Sequence, residues 1–409
     1  QPQVPTLRGP AARAGRDAAP APAPAPATGA GAMRVLHLIT TIDRGGAENH
    51  LVDLVRVQRA AGLEVTVAWL KGGGYWAAEL RRLGARVAPL GMRFYGDPRA
   101  LLRLRAALRE ARPALVHAHL PPAELYARAA LRGSVLGSLP LVISKHNDTD
   151  FVQRTRWSAL PLARWAGRRA GAIIAISEAV RARVLGERLA AAADRVVTIH
   201  YGLDPAPFAA RDEDAVRRLR EAWGVPPGAV LFGTAARMVP QKSLHTLLEG
   251  YARLRRDHPG AGARLALVGT GPLEPALRAQ AAALGIGHEC VWAGFREDIP
   301  TVMQALDVFA LTSLWEGLGL VLLEAMAAGR PAVASRVSAI PEIVEDGRTG
   351  TLFPVGDADA LAAALAGFLD PERRRACGEA GRRRAALFSV ARMAEATLEV
   401  YRRVLAHAP

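Results

Sequence analysis

The stretch "VFALTSLWEGLGLVLLEAMAAGRPAVAS", residues 308–335, decides the fold. "VFALTS" (308–313) reads as a buried strand running into its exit loop. "LGLVLLEAMAAG" reads as a helix that stops at Gly329, because a glycine accepts the left-handed C-terminal turn and Pro331 cannot continue a helix. "PAVAS" (331–335) reads as the next strand. Two carboxylates punctuate this unit. Glu316 falls in the loop just before the helix and Glu324 one to two turns inside it, with no charge between them.

Working outward, the same alternation fills the chain. "RVLHLIT" (34–40) precedes the helical pattern of 47–61, and "EVTVAWL" (64–70) precedes another. "ALVHAH" (114–119), "PLVISKH" (140–146) and "GAIIAIS" (171–177) continue the series. It restarts with "VLFGTAA" (230–236), "ARLALVG" (263–269) and "CVWAG" (290–294). Short β-rich runs followed by amphipathic helices imply parallel sheets with helices on both faces. The fold class expected is therefore α/β, with two doubly wound domains. "HYGLDPAPF" (200–208), turn-rich with two prolines, is the expected hinge. The expected divisions are a Pro/Ala-rich arm (1–32), an N-terminal domain (33–203), a C-terminal domain (204–388) and a final amphipathic helix (389–409). The arm lacks the apolar core of a signal peptide and its composition cannot build a packed core, so an extended, disordered segment is expected there.

Composition narrows the function classes. Aromatics are 5%, so Ala, Leu and Val must fill the cores. Two cysteines, Cys290 and Cys377, exclude a disulfide framework and fit a reducing, cytoplasmic setting. No apolar run approaches the ~18–20 residues of a membrane span. The net charge of +15 is uneven: residues 33–203 hold 26 basic and 13 acidic side chains, whereas 204–409 hold 24 of each. A basic first half suits an anionic partner, such as a phospholipid surface or a phosphorylated acceptor. Arginine-rich helix surfaces without such a partner are the competing reading.

In open parallel sheets ligands bind beyond the carboxyl ends of the strands. After the first strand, Gly45 and Gly46 precede a helix whose amides and dipole suit a phosphate; a plain turn is the competing reading. After "VLFGTAA", Arg237 and Lys242 lie five residues apart and suit a diphosphate. The turn "VGTGPLE" (268–274), with Gly269 and Gly271, brings a second strand end toward the same cleft. Eight helical residues rise ~12 Å at 1.5 Å each, about the length of a sugar, a diphosphate and a ribose laid along a helix start. Glu316 and Glu324 can then hold hydroxyls at opposite ends of one nucleotide-sugar. The alternative is one loop glutamate and one helix glutamate facing solvent.

"EGLGLVLLEAMAAGRP" resembles the E-x7-E signature of the family 4 retaining glycosyltransferases, which have the two-domain GT-B fold. "GGAE" (45–48), "RMVPQK" (237–242), "VGTGPL" (268–273), "GFREDIPTVMQALDVF" (294–309) and "IPEIVEDGRTGTLFP" (340–354) are similar to that family's segments and come in its order, from about Met33 onward. The resemblance implies that Glu316 contacts donor-sugar hydroxyls and Glu324 the ribose. Arg237 and Lys242 would neutralise the diphosphate, and Gly46 would offer an amide from the other domain. Gly45, Gly269, Gly271, Gly317, Leu318, Gly319 and Leu320 would line the donor. His119 in "VHAHLPP" would lie near the reacting sugar, with His117 a strand residue facing a wall. His146 and Asn147 in "SKHND" are weaker acceptor-side candidates. The final helix would cross back onto the N-terminal domain.

The implied activity is retaining transfer from a UDP- or GDP-sugar to a glycan or lipid-linked acceptor. It would need no metal and no other cofactor, and would work in the cytoplasm or at the inner face of a membrane. A nucleotide-sugar epimerase or sugar phosphorylase keeps the fold but changes the reaction. A non-catalytic nucleotide-binding protein is a further alternative. No G-x-G-x-x-G follows the first strand and no aromatic basic platform is present, so dinucleotide and nucleic-acid partners are not expected.

Overall fold

The computed structural model describes residues 32–133, 135–146 and 159–407. Seven strands form a first sheet: β1 (Arg34–Ile39), β2 (Glu64–Trp69), β3 (Arg86–Pro89), β4 (Leu115–His119), β5 (Leu141–Lys145), β6 (Ala172–Ala175) and β7 (Val196–Thr198). Six form a second: β8 (Val230–Ala235), β9 (Ala263–Val268), β10 (Cys290–Gly294), β11 (Val308–Leu311), β12 (Ala332–Ser335) and β13 (Gly350–Phe353). The spatial orders are β3-β2-β1-β4-β5-β6-β7 and β10-β9-β8-β11-β12-β13, and the pairings in both sheets are parallel. Each sheet therefore reverses its winding once, between β1 and β4 and between β8 and β11. The loops leaving those four strands face the crevice where such sheets take ligands.

The α/β expectation with two doubly wound sheets is met. Short strands such as β11 and β12 are buried at every residue, which is why their sequences are continuous apolar runs rather than alternating ones. Three strands lie outside the runs read from the sequence. β3, β7 and β13 have four, three and four residues and occupy sheet edges. An edge strand of that length carries too few apolar residues to stand out.

The closing helix, Val390–Ala406, packs against the helix Gly46–Ala60 of the first half. Met393, Ala394, Val400, Tyr401 and Val404 join one core with Val35, Leu51 and Leu54. Two glycines permit this. A Cβ on Gly171 would stand 2.8 Å from Val404, and one on Gly202 would stand 2.4 Å from the Val390 backbone. The expected hinge is clasped to the chain's return: Leu203 N donates to Phe388 O at 2.8 Å. The chain thus crosses between its halves twice, side by side. Among the described residues no helix is long and apolar enough to cross a membrane.

Candidate functional site

The loops after β8 and β11 are zipped together. Leu314 N donates to Gln241 O (2.8 Å), Gln241 Nε2 to Trp315 O (2.9 Å) and Thr312 Oγ1 to Lys242 O (2.9 Å). Ser335 Oγ on β12 donates to Ser313 O (2.6 Å). This frame brings Lys242 Nζ to 2.5 Å from Glu316 Oε1, which also accepts from Ser313 Oγ at 2.6 Å. The pair is largely enclosed, with side chains 15% and 9% exposed. In so enclosed a place each side chain is the other's main polar partner, and removing either leaves the other largely uncompensated. Ser313 and Gln241 were not legible as site residues, because only the juxtaposition of two loops gives them partners.

Glu324 stands differently. It lies in the second turn of the helix Leu320–Ala327, between buried Leu323 and Ala325. Its carboxyl has no hydrogen-bond or ion-pair partner among the described residues. Desolvation by these apolar surroundings raises its pKa to about 7. A desolvated carboxyl without a protein partner is an acceptor held ready for a donor from outside. The helix itself begins at Gly319, whose φ of 88° is left-handed, and no side chain caps its first turn. Its first amides are thus free of side-chain competition for an anion.

Arg237 is exposed, and its guanidinium is bonded to no described residue. Gly269 and Gly271 serve the protein's own backbone. Cβ atoms there would come within 2.1 Å of Ala236 O and 2.4 Å of Met238 O. The glycine turn after β9 therefore shapes the Arg237 loop from behind; Met238 N bonds Thr270 O at 2.9 Å. Gly317 also meets backbone: a Cβ would stand 2.4 Å from His146 O. Leu318 is buried and Leu320 is partly exposed at the helix start.

In the first half, Gly45 is the extended N-cap of the helix Gly46–Ala60, and the space beside the Gly46 Cα is open. A Cβ on Gly45 would strike the Glu48 carboxylate, which Thr41 Oγ1 holds at 2.7 Å. Nearby, buried histidines link into one hydrogen-bonded chain. Gln58 Oε1 can only accept, so His37 Nε2 donates to it (2.8 Å). Neutral His37 then accepts through Nδ1 from His119 Nε2 (3.0 Å). His119 Nδ1 accepts from His146 Nε2 (3.1 Å), and His146 Nδ1 from the Tyr201 hydroxyl (2.5 Å). On the other side, Gln58 Nε2 donates to Tyr401, which donates to His117 Nδ1 (2.6 Å); His117 Nε2 donates to Ser144 Oγ (2.7 Å). One amide orientation fixes every tautomer along the way.

Burial keeps these rings neutral. Desolvation lowers His37 to about 4, against a raising bond from Gln58. It lowers His50 to about 3, helped by like charge on His37, and takes His117, His119 and His146 well below the usual range. His119, expected near the reacting sugar, is fully enclosed with both nitrogens engaged, as is His146 but for a sliver of surface. His117 faces the wall made by Tyr401, as expected. The nitrogens of His37, His117 and His119 lie within 4.8 Å of one another, close enough to share an ion, yet each already has a hydrogen-bonding partner in the protein. His37, Gln58, Tyr201 and Tyr401 could not be tied to His119 from the sequence, since they lie up to hundreds of residues apart. Asn147 lies outside the described residues.

Comparison with known proteins agrees with this geometry. Residues 216–384 match the model of "Glycosyl transferases group 1", and residues 44–207 that of "Glycosyltransferase Family 4". The chain is 36% identical over 259 residues to the GDP-mannose-dependent alpha-(1-6)-phosphatidylinositol monomannoside mannosyltransferase of Mycolicibacterium smegmatis. That match takes in 60% of this chain and 65% of the relative, just under two thirds of its length. Bacillus subtilis EpsD is 30% identical over 292 residues, covering 70% of this chain and 76% of that one. The structure of Anabaena Alr3699/HepE in complex with UDP and glucose superposes with a TM-score of 0.77 at 24% identity, over 90% of this chain and 99% of the other. Two parallel-sheet domains, their winding and these matches identify the fold as GT-B, and the chain belongs to the group 1 glycosyltransferases.

Proposed function

We propose that this glycosyltransferase moves a sugar from a nucleoside-diphosphate sugar to a glycan or lipid-linked acceptor, with retention at the anomeric carbon and without a divalent metal. The observation that carries the reading is the pairing of two unlike carboxylates on one loop-helix unit. Glu316 is braced by Lys242 and Ser313; Glu324 is desolvated and has no partner among the described residues. A donor laid along the start of the helix Leu320–Ala327 would offer sugar hydroxyls to Glu316 and ribose hydroxyls to Glu324. Its diphosphate would meet the free helix amides, the exposed Arg237 and the remaining N–H bonds of Lys242.

The chemistry follows from where charge develops. Cleaving the bond from the anomeric carbon to phosphate oxygen gives an oxocarbenium-like sugar and leaves negative charge on the diphosphate. Fixed cations and amides aimed at that oxygen stabilise the transition state more than the ground state. Arg237 and Lys242 can take this role without a metal. Attack by the acceptor hydroxyl from the leaving-group face retains configuration, and the departing phosphate oxygen is placed to receive the hydroxyl proton.

The two similar proteins named for their ligands point to different bases, GDP in one and UDP in the other. Donor choice is therefore tested first. Thermal shift with UDP-glucose and GDP-mannose in EDTA should show stabilisation by one nucleotide family, with loss of the response in Lys242→Ala. Nucleoside diphosphate release that stops in EDTA and returns with Mg²⁺ or Mn²⁺ would overturn the metal-independent reading. An anionic acceptor at the cytoplasmic membrane face fits the basic first half. Part of that excess is spent internally, since Arg103 and Arg105 donate to backbone carbonyls of Leu90 and Ala130. Vesicle sedimentation with and without anionic lipid decides how much remains for a membrane.

A further inference from the structure

The donor loop is tied to the opposite half of the molecule at one point next to Glu316. Ser177, fully buried at the end of the loop after β6, donates its hydroxyl to Gly317 O at 2.8 Å. Ser177 Oγ in turn accepts from Val180 N at 3.2 Å, as the N-cap of the helix Glu178–Gly186. One hydroxyl thus closes a helix start and grips the backbone adjoining a proposed donor-sugar ligand. The grip is close because Gly317 has no side chain, which brings its backbone against His146 O and Ile176.

A second tie completes the helix start. The Glu342 carboxylate, from the helix Ile340–Ile343 of the second half, accepts from Glu178 N (2.8 Å) and Ala179 N (3.0 Å). It also accepts from His200 Nε2 at 2.8 Å, in the segment between the halves. Burial alone would raise this carboxyl. The bonds from His200 and the two amides outweigh that and hold it below the usual carboxylate range. An ionised carboxylate on helix amides is a strong, directional contact. So the orphan amides of a helix in one half are satisfied by a side chain of the other, and the join lies beside Glu316.

We propose that Ser177 and Glu342 are positioning residues for the transfer reaction: they set the register of the Glu316 loop against the first half, so that the donor's anomeric carbon meets the groups across the cleft. Neither touches the donor. The inference rests on the transfer reading above. Its distinctive consequence is a split between binding and turnover. The proposed donor ligands, Glu316, Glu324, Arg237 and Lys242, all belong to the second half and keep their own frame when the tie is cut. A misplacement of about 1 Å is enough to cost up to ~100-fold in rate.

The test uses the full chain and four proteins: wild type, Ser177→Ala, Ser177→Thr and Glu342→Gln. UDP-glucose and GDP-mannose are the probes, read by donor Kd and by nucleoside diphosphate release at saturating donor, with water as the acceptor that takes the sugar. Ser177→Ala should lower the rate at least about tenfold while donor Kd stays within about threefold. Ser177→Thr, which keeps the hydroxyl, should restore most of the rate, and Glu342→Gln should fall between. If Ser177→Ala does not fold, Glu342→Gln set against wild type carries the same split. A lowered melting temperature with an unchanged rate means a merely structural role and overturns the proposal. So does a loss of donor affinity equal to the loss of rate. A wild type that binds neither nucleotide sugar overturns the transfer reading, and this inference with it.

Discussion

Replacing Glu324 with Gln should stabilise the ligand-free protein while weakening donor binding, and the gain should depend on pH. The carboxyl is raised from 4.5 to about 7 by desolvation. In the unfolded chain it ionises near its ordinary value. The folded state therefore binds more protons than the unfolded state between those two values, and stability falls as pH rises through that window. Above it the cost is constant. At pH 8 a shift of this size corresponds to about 3 kcal/mol, at 1.36 kcal/mol per unit. At pH 5.5 the same linkage leaves about 1 kcal/mol. Glutamine has the same shape but no charge, so Glu324→Gln should be more stable than wild type by these amounts, less the cost of its own partly buried amide. Urea unfolding of both proteins at pH 5.5 and 8 measures it. The informative quantity is the difference between the two gains, about 2 kcal/mol, because the amide cost cancels. Equal gains at the two pH values would refute the claim that this carboxyl is desolvated and unpartnered. The same variant should lose donor affinity at pH 8, where wild type is mostly ionised and can accept two ribose hydroxyls.

Three other perturbations follow. Lys242→Ala leaves Glu316 enclosed with Ser313 as its remaining partner, so it should destabilise by about 3 kcal/mol, as expected when one member of a buried pair is removed; adding Glu316→Gln should recover stability but not activity, read by unfolding and nucleotide release. Gly317→Ala drives a Cβ against the His146 carbonyl and should cost about 1–3 kcal/mol of overpacking, with turnover falling more than donor affinity. The buried histidines bind protons in the unfolded state but not in the folded one below about pH 6.5, so stability is complete above that value and is lost as pH falls. Each adds about 1.4 kcal/mol per pH unit well below it, and a urea titration from pH 7 to 5 with a slope of less than one histidine would contradict their neutrality.

The second half's share of the candidate site was the more legible. Glu316 and Glu324 lie on one strand-loop-helix unit, so local geometry fixes their spacing once the helix is recognised. Lys242 could be paired with a diphosphate on charge alone, but its bond to Glu316 could not be read, since it needs the loops after β8 and β11 to be adjacent. The glycines of "VGTGPLE" carried a signal that the structure also explains by packing. They suggest a strand end that can approach the cleft, and Cβ atoms there would in addition meet the backbone of Ala236 and Met238. His119 was legible as a residue of interest, but its enclosure was not. Its partners are His37 on β1 and His146 just after β5; the chain continues through His146 to Tyr201, while Tyr401 of the last helix stands 284 residues from His117, to which it bonds.

The sequence by itself determined the alternation of strands and helices, the two doubly wound domains and the carboxylate spacing. These depend on residues within one or two elements of each other, where periodicity and helix-stop signals act. Tertiary structure alone decided which charges meet, which histidines are neutral and where the halves grip each other. A pKa depends on what lies within a few ångströms, and burial brings together Gln58 with Tyr401 and Ser177 with Gly317 across chain separations that no local pattern encodes.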